Sequence, residues 1–283
     1  MDASVSAATL TVLLALTSAL SWGTGDFCGG LASRQGRAFS VVMVAEFTGA
    51  LMLAALGVLT REALPTAATT LGAAGAGLVG VIGLAALYTG LGRGQMGIMA
   101  PLSAVIAGSV PVLAGLWYHG LPSPLQLAGF AVALAAVWLL AGSGEVRADG
   151  VQLGLALTAG LGFGFYFVLI ELVSREGVYW PLAAARGVAG LALMAVLLAR
   201  RQPLLPGRKA LPLAAVAGLF DAGGNLFFAL AAQAGRIDIA GVLASLYPGA
   251  TVVLARLLLH ERLTRPQIVG VAAALLAVAL IAA

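Results

Sequence analysis

The sequence predicts an all-α membrane protein whose ten transmembrane helices form two inverted five-helix repeats. Three observations predict it: a near-absence of charge, a succession of apolar runs of membrane-crossing length, and an internal repeat at constant offset. Of 283 residues, 15 are Lys or Arg and 11 are Asp or Glu, 9% in all. A soluble domain carries about 25%. Mean hydropathy is +1.05. Such a chain cannot cover a water-facing surface and belongs in a bilayer.

A helix needs about 20 mostly apolar residues to cross the hydrocarbon core, and ten segments meet that length. The first, 7–32, has no basic residue ahead of it, and its apolar run continues well past Ala19. It therefore reads as a spanning helix, not a cleaved leader. The second, 38–59, starts after Arg34-Gln35-Gly36-Arg37 and stops at Arg61-Glu62-Ala63-Leu64-Pro65. The third, 68–91, carries Gly72, Ala76 and Gly80 on one face, a stripe that suits close helix packing. Pro101 and Pro111 interrupt the fourth, 94–118, freeing carbonyls at Gly97 and Ala107. The fifth, 124–142, ends at Gly142-Ser143-Gly144-Glu145, a breaker sequence. The sixth and seventh are 151–173 and 178–199; the turn-rich stretch from Arg200 to Lys209 closes the seventh. The eighth is 210–234. In the ninth, 237–259, Pro248 frees the carbonyl of Ala244. The tenth is 265–282.

The repeat is read at an offset of 141. Leu14-Ala15-Leu16-Thr17 returns as Leu155-Ala156-Leu157-Thr158, and Ser33-Arg34-Gln35-Gly36 as Ser174-Arg175-Glu176-Gly177. His119, Gln126 and Gly129 match His260, Gln267 and Gly270. The copies span about 1–142 and 148–283. An odd number of crossings per copy makes the second enter from the opposite side, and inverted repeats enclosing a site recur in secondary transporters. Loops after odd-numbered helices hold ten Lys or Arg, those after even-numbered helices only Arg61, Arg175 and Arg236. By the positive-inside rule the termini are then expected outside.

Six charged residues fall inside the segments: Asp26, Glu46, Glu171, Arg186, Asp221 and Arg256. Glu171 and Arg256, near helix ends, are expected to reach the headgroups by snorkelling. The other four lie deep, where a charge costs at least about 2.5 kcal/mol. Asp26 and Glu46 sit roughly 12 to 14 Å in from one face, at 1.5 Å per residue. With no cation evident at their depth, they are the candidates for proton coupling, because burial favours a neutral carboxyl. The alternative is a protonated group bonded to a backbone carbonyl, favoured somewhat for Glu46 because helix 2 is expected at the periphery. Arg186 and Asp221 share a depth and form either a static ion pair or a substrate site, with Asn225 one turn beyond Asp221. Trp22, Tyr88, Tyr166 and Tyr247 join an apolar body to a polar tip and suit amphipathic solutes. Trp117, Tyr118, Tyr179 and Trp180, at helix ends, read as interfacial anchors.

Other classes find little support. A surplus of four positive charges gives no basic patch for nucleic acid. The single cysteine, Cys28, excludes an internal disulfide. No cofactor or metal site is expected: His119 and His260 fall on opposite faces, and hydrolase motifs are absent. Gly92-Arg93-Gly94 lacks the surroundings of a phosphate loop. A channel would need charged rings or repeated carbonyl filters.

Ala244-Ser245-Leu246-Tyr247-Pro248, Leu254-Ala255, His260-Glu261-Arg262-Leu263-Thr264, and Gln267 with Gly270 resemble the EamA family of the drug/metabolite transporter superfamily. Trp22-Gly23 resembles its N-terminal signature. The first copy departs from the loop motif, with Gly120 where the second has Glu261. The resemblance implies five-plus-five helices and a transporter, not an enzyme, that moves small organic molecules, often outward. It also implies cytoplasmic termini, opposite to the loop charges. The expected protein is a multi-pass transporter of the cell (inner) membrane, its partners a small-molecule substrate and the lipid bilayer. Amino acids or related compounds are the leading substrates and lipophilic cations the alternative.

Overall fold

The computed structural model describes residues 6–91, 96–140, 150–258 and 264–282. They form eleven helices and no strand. These are α1 (Ala7–Gln35), α2 (Ala38–Leu59), α3 (Ala67–Leu91), α4 (Met96–His119), α5 (Pro124–Leu140) and α6 (Gly150–Val173). They continue as α7 (Tyr179–Ala199), α8 (Leu211–Ala234), α9 (Ile237–Ala244), α10 (Tyr247–Leu258) and α11 (Arg265–Ala282). Six of these helices, α1–α3 and α6–α8, are long and apolar enough to cross a membrane, with three shorter apolar stretches in α4, α5 and α11.

The ninth sequence segment is two helices. α9 stops at Ala244, and Ser245-Leu246 form a turn before α10 begins one residue ahead of Pro248. A proline ring clashes with the carbonyl four residues earlier, here Ala244, and the helix breaks there. Ser245 Oγ turns back to the Val242 carbonyl at 2.7 Å. The expected interruption of the fourth segment does not occur: α4 runs unbroken through Pro101 and Pro111. Proline removes one helical hydrogen bond, and a neighbouring helix can cover the loss. Gly164 of α6 packs at the Ala107 carbonyl, and the Pro111 ring packs on Gly241 of α9.

Helix ends explain part of the repeat. Ser123 and Gln126 form a reciprocal capping box at the start of α5, with Gln126 N donating to Ser123 Oγ at 3.2 Å and Ser123 N to Gln126 Oε1 at 3.1 Å. Thr264 N donates to Gln267 Oε1 at 2.9 Å in the equivalent turn before α11. The matched glutamines are thus helix starts, satisfying donors the helix leaves open. Gly129 lets α5 pack on Ile281 of α11. Both α2 and α7 end in a Schellman turn with an arginine at positive φ, Arg61 (55°) and Arg201 (50°). Glu62 N bonds to the Gly57 carbonyl and Gln202 N to that of Leu197, as the motif requires.

Contacts between the halves are reciprocal: α1 packs along α8 and α3 along α6, while α2 lies on α7 and α5 on α11. Small side chains make these approaches close. Gly77 meets the Ala185 backbone, Gly218 that of Ala45, and the Gly72–Ala76–Gly80 stripe faces α6 through Val173 and Tyr166.

Candidate functional site

A cavity of about 240 Å³ lies between the halves. α1 contributes Trp22, Asp26, Gly29 and Gly30; α2 contributes Val41, Val42, Ala45 and Glu46; α3 runs from Gly77 to Leu87 along it. The second half adds Tyr166 and Phe167, Arg186, Asp221 and Asn225, and Tyr247. Helix 2 is therefore a cavity wall and not peripheral. The residues nearest a membrane face, Gly30, Val41 and Leu87, all adjoin the α1–α2 and α3–α4 connections. The cavity opens toward that face.

Arg186 is 3% exposed and organises the centre. NH1 meets Asp221 Oδ2 at 2.6 Å, NH2 meets Glu46 Oε2 at 3.3 Å, and NH2 also reaches the Ala45 carbonyl at 3.4 Å. Glu46 thus has the cation that its helix alone did not reveal. α2 and α7 lie against each other, and Ala45 stands at the repeat offset from Arg186. The guanidinium sits where the two copies meet. Gly49 makes room for it: a Cβ there would strike Arg186 Cζ at 2.9 Å and Ala222 at 2.8 Å.

The copies supply unlike groups at equivalent places. Gly25 of α1 packs on the backbone of α8 at Asp221, where a Cβ would come within 3.1 Å of Asp221 N. At the repeat offset those positions become Tyr166 of α6 and Gly80 of α3, where the Tyr166 ring packs on Gly80 so closely that a Cβ there would come within 3.1 Å of it. Each polar residue is packed against a glycine of the opposite copy. Trp22 stacks on Phe167 with centroids 5.1 Å apart, and Phe228 and Tyr247 stand at 5.9 and 6.4 Å. Trp22, Phe167 and Tyr247 floor the cavity, and Phe228 is fully buried beside them.

Asp26 faces the cavity and makes neither a hydrogen bond nor an ion pair among the described residues. The side chains of Tyr166, Asn225 and Tyr247 likewise make no hydrogen bond there. The structure brings together all the sequence-proposed site residues except Tyr88, whose side chain lies outside the described residues, as do those of Arg256 and of His260 through Leu263. Glu171 does not snorkel. It is 6% exposed and chelates Arg175, Nε to Oε1 at 2.9 Å and NH2 to Oε2 at 3.1 Å. Sequence reasoning missed Phe163 and Phe167, although the repeat places them opposite Trp22 and Asp26.

The face away from the mouth is closed by two polar junctions that the apolar pattern did not reveal. Glu62 accepts from Val178 N (2.6 Å), Tyr179 N (3.2 Å) and Trp180 N (2.9 Å), capping α7 from the α2–α3 loop. Trp180 Nε1 returns a bond to the Glu62 carbonyl at 3.2 Å, so this tryptophan locks a loop as well as sitting at a helix end. Arg236 pairs with the fully buried Asp238 at 2.7 Å and donates to the carbonyls of His119 (3.2 Å) and Gly120 (2.9 Å). It ties the end of α4 to the start of α9.

An uncharacterized protein of Methanocaldococcus jannaschii is 27% identical over 121 residues, which cover 43% of this chain and 87% of that one. A solved crystal structure, 20% identical, aligns over 95% of both chains with a TM-score of 0.74 and so shares the fold. The sequence profile of the EamA-like transporter family matches twice, over residues 9–142 and 152–283. With both halves matched, the chain belongs to the EamA-like transporter family.

Proposed function

We propose that the protein is a secondary active transporter of the cell (inner) membrane, with ten crossings in two inverted repeats that exchange access to the central cavity. Its solute is a small amine-bearing metabolite, an amino acid or related compound, moved outward. The observation that carries this reading is Asp26, an unpartnered carboxylate beside an aromatic floor. It suits an ammonium group, and Trp22 adds a ring face for the same cation. Tyr166, Asn225 and Tyr247 offer neutral donors for a carboxylate at the other end. The volume of about 240 Å³ falls below the roughly 300–1,000 Å³ of drug-sized pockets, which favours a small metabolite.

Asp26 and Glu46 carry the coupling proton in this scheme. Glu46 exchanges it when its contact with Arg186 opens, Asp26 when the amine leaves. Collapsing the pH gradient across proteoliposomes is expected to end solute accumulation. Accumulation that persists unchanged overturns the coupling.

One arrangement favours efflux of lipophilic cations instead: Arg186 is held by two carboxylates and presents no free positive charge. Counterflow in proteoliposomes separates the two, with labelled amino acids run against a cationic dye. Amino-acid exchange without dye exchange supports the main reading; dye exchange alone supports the second.

A further inference from the structure

Six basic residues lie on two adjoining segments at the cavity-mouth end of the molecule. Arg34 and Arg37 flank the α1–α2 turn; Arg200, Arg201, Arg208 and Lys209 lie in the α7–α8 connection. The two segments touch: Ser40 Oγ donates to the Pro203 carbonyl at 2.7 Å, and Gly36 packs against Pro206. All six are exposed, none forms an ion pair among the described residues, and neither segment contains an acid. No acid of either segment offsets these six charges.

The repeat supplies an internal control. At the repeat offset, the same two segments become the α6–α7 turn and the α2–α3 loop on the opposite face. They also touch, Val178 N donating to Glu62 Oε1 at 2.6 Å and Gly177 packing beside the same carboxylate. There Arg61 and Arg175 are accompanied by Glu62 and Glu176, with Glu171 binding Arg175 and Thr69 donating to Glu176 at 3.0 Å. One backbone arrangement is thus built twice, once balanced and once purely cationic. The fold does not require the positive charge. Leu205 adds a second feature, an apolar side chain 63% exposed between the basic pairs.

We propose that this two-loop platform binds anionic phospholipid headgroups of the leaflet it faces. The arginines and the lysine meet the lipid phosphates, and Leu205 enters the acyl boundary, the combination that holds protein segments at acidic bilayer surfaces. Because the segments come from different copies, a bound headgroup bridges the repeats at the rim of the cavity.

The test uses the full chain in phosphatidylcholine nanodiscs containing a minority of phosphatidylglycerol, with retained lipid counted by native mass spectrometry after detergent release. The wild type is expected to enrich phosphatidylglycerol, with enrichment falling as salt rises. The variant Arg200→Gln/Arg201→Gln/Arg208→Gln/Lys209→Gln is expected to lose it, by roughly fivefold per charge removed. Replacing the three arginines by lysine keeps charge and is expected to keep enrichment, as is Arg61→Gln on the opposite face. If the fourfold variant does not fold, Arg208→Gln/Lys209→Gln serves, with a partial loss expected. Unchanged enrichment in a folded neutralised variant overturns the proposal. Displacement of the lipid by inorganic phosphate or glycerol phosphate also overturns it and marks a site for a soluble phosphate.

Discussion

A guanidinium at the centre of a bilayer is tolerated only with partners, and Arg186 has two carboxylates and a carbonyl. Removing one partner of a buried pair is costly because the remaining charge is left uncompensated. Arg186→Gln leaves Glu46 and Asp221 without their cation and is expected to destabilise the protein by about 3–5 kcal/mol, measured by denaturant unfolding in detergent. Asp221→Asn keeps the Glu46 contact and is expected to cost less; if transport survives with lower protein yield, the pair is structural. The sequence let Asp26 and Glu46 be counted inward from Arg34 and Arg37, and Arg186 and Asp221 be placed by their positions along their own apolar segments. The partner of Glu46 was not, because it requires the α2–α7 contact, which a one-dimensional pattern does not contain. Nor did it reveal the burial of Asp238 or the capping by Glu62, since a loop residue carries no period.

At the scale of elements, apolar length located the helices well, and proline chemistry gave the α9–α10 break. The same rule misplaced a break in α4, since whether proline ends a helix depends on what covers the freed carbonyl, here Gly164 of α6. Pro248→Ala is expected to let α9 and α10 join and to lower the transport rate, measured by solute counterflow, without loss of stability. The capping boxes act on stability alone. Thr264→Ala is expected to cost about 1 kcal/mol and to leave counterflow unchanged.

At the scale of the molecule, the repeat was legible through matched His, Gln and Arg positions, yet its main consequence lies in the unmatched ones. Cavity chemistry comes from places where the copies differ, Gly25 against Tyr166 and Gly80 against Asp221, so sequence similarity could not mark them. The mouth is directly observable. In a Cys28→Ser background, Gly30→Cys places a thiol in open space at the cavity wall, expected to react with a membrane-impermeant reagent from the α1–α2 face and to be shielded by solute. Leu121→Cys, 84% exposed at native Leu121, is expected to react from the opposite face and to ignore solute. The central claim is that solute passes through this cavity anchored at Asp26. Counterflow of a labelled amino acid by wild type and Asp26→Asn, at matched unfolding temperatures, tests it most directly. Exchange by the wild type and none by Asp26→Asn is the expected result; exchange by both at equal rates would contradict it.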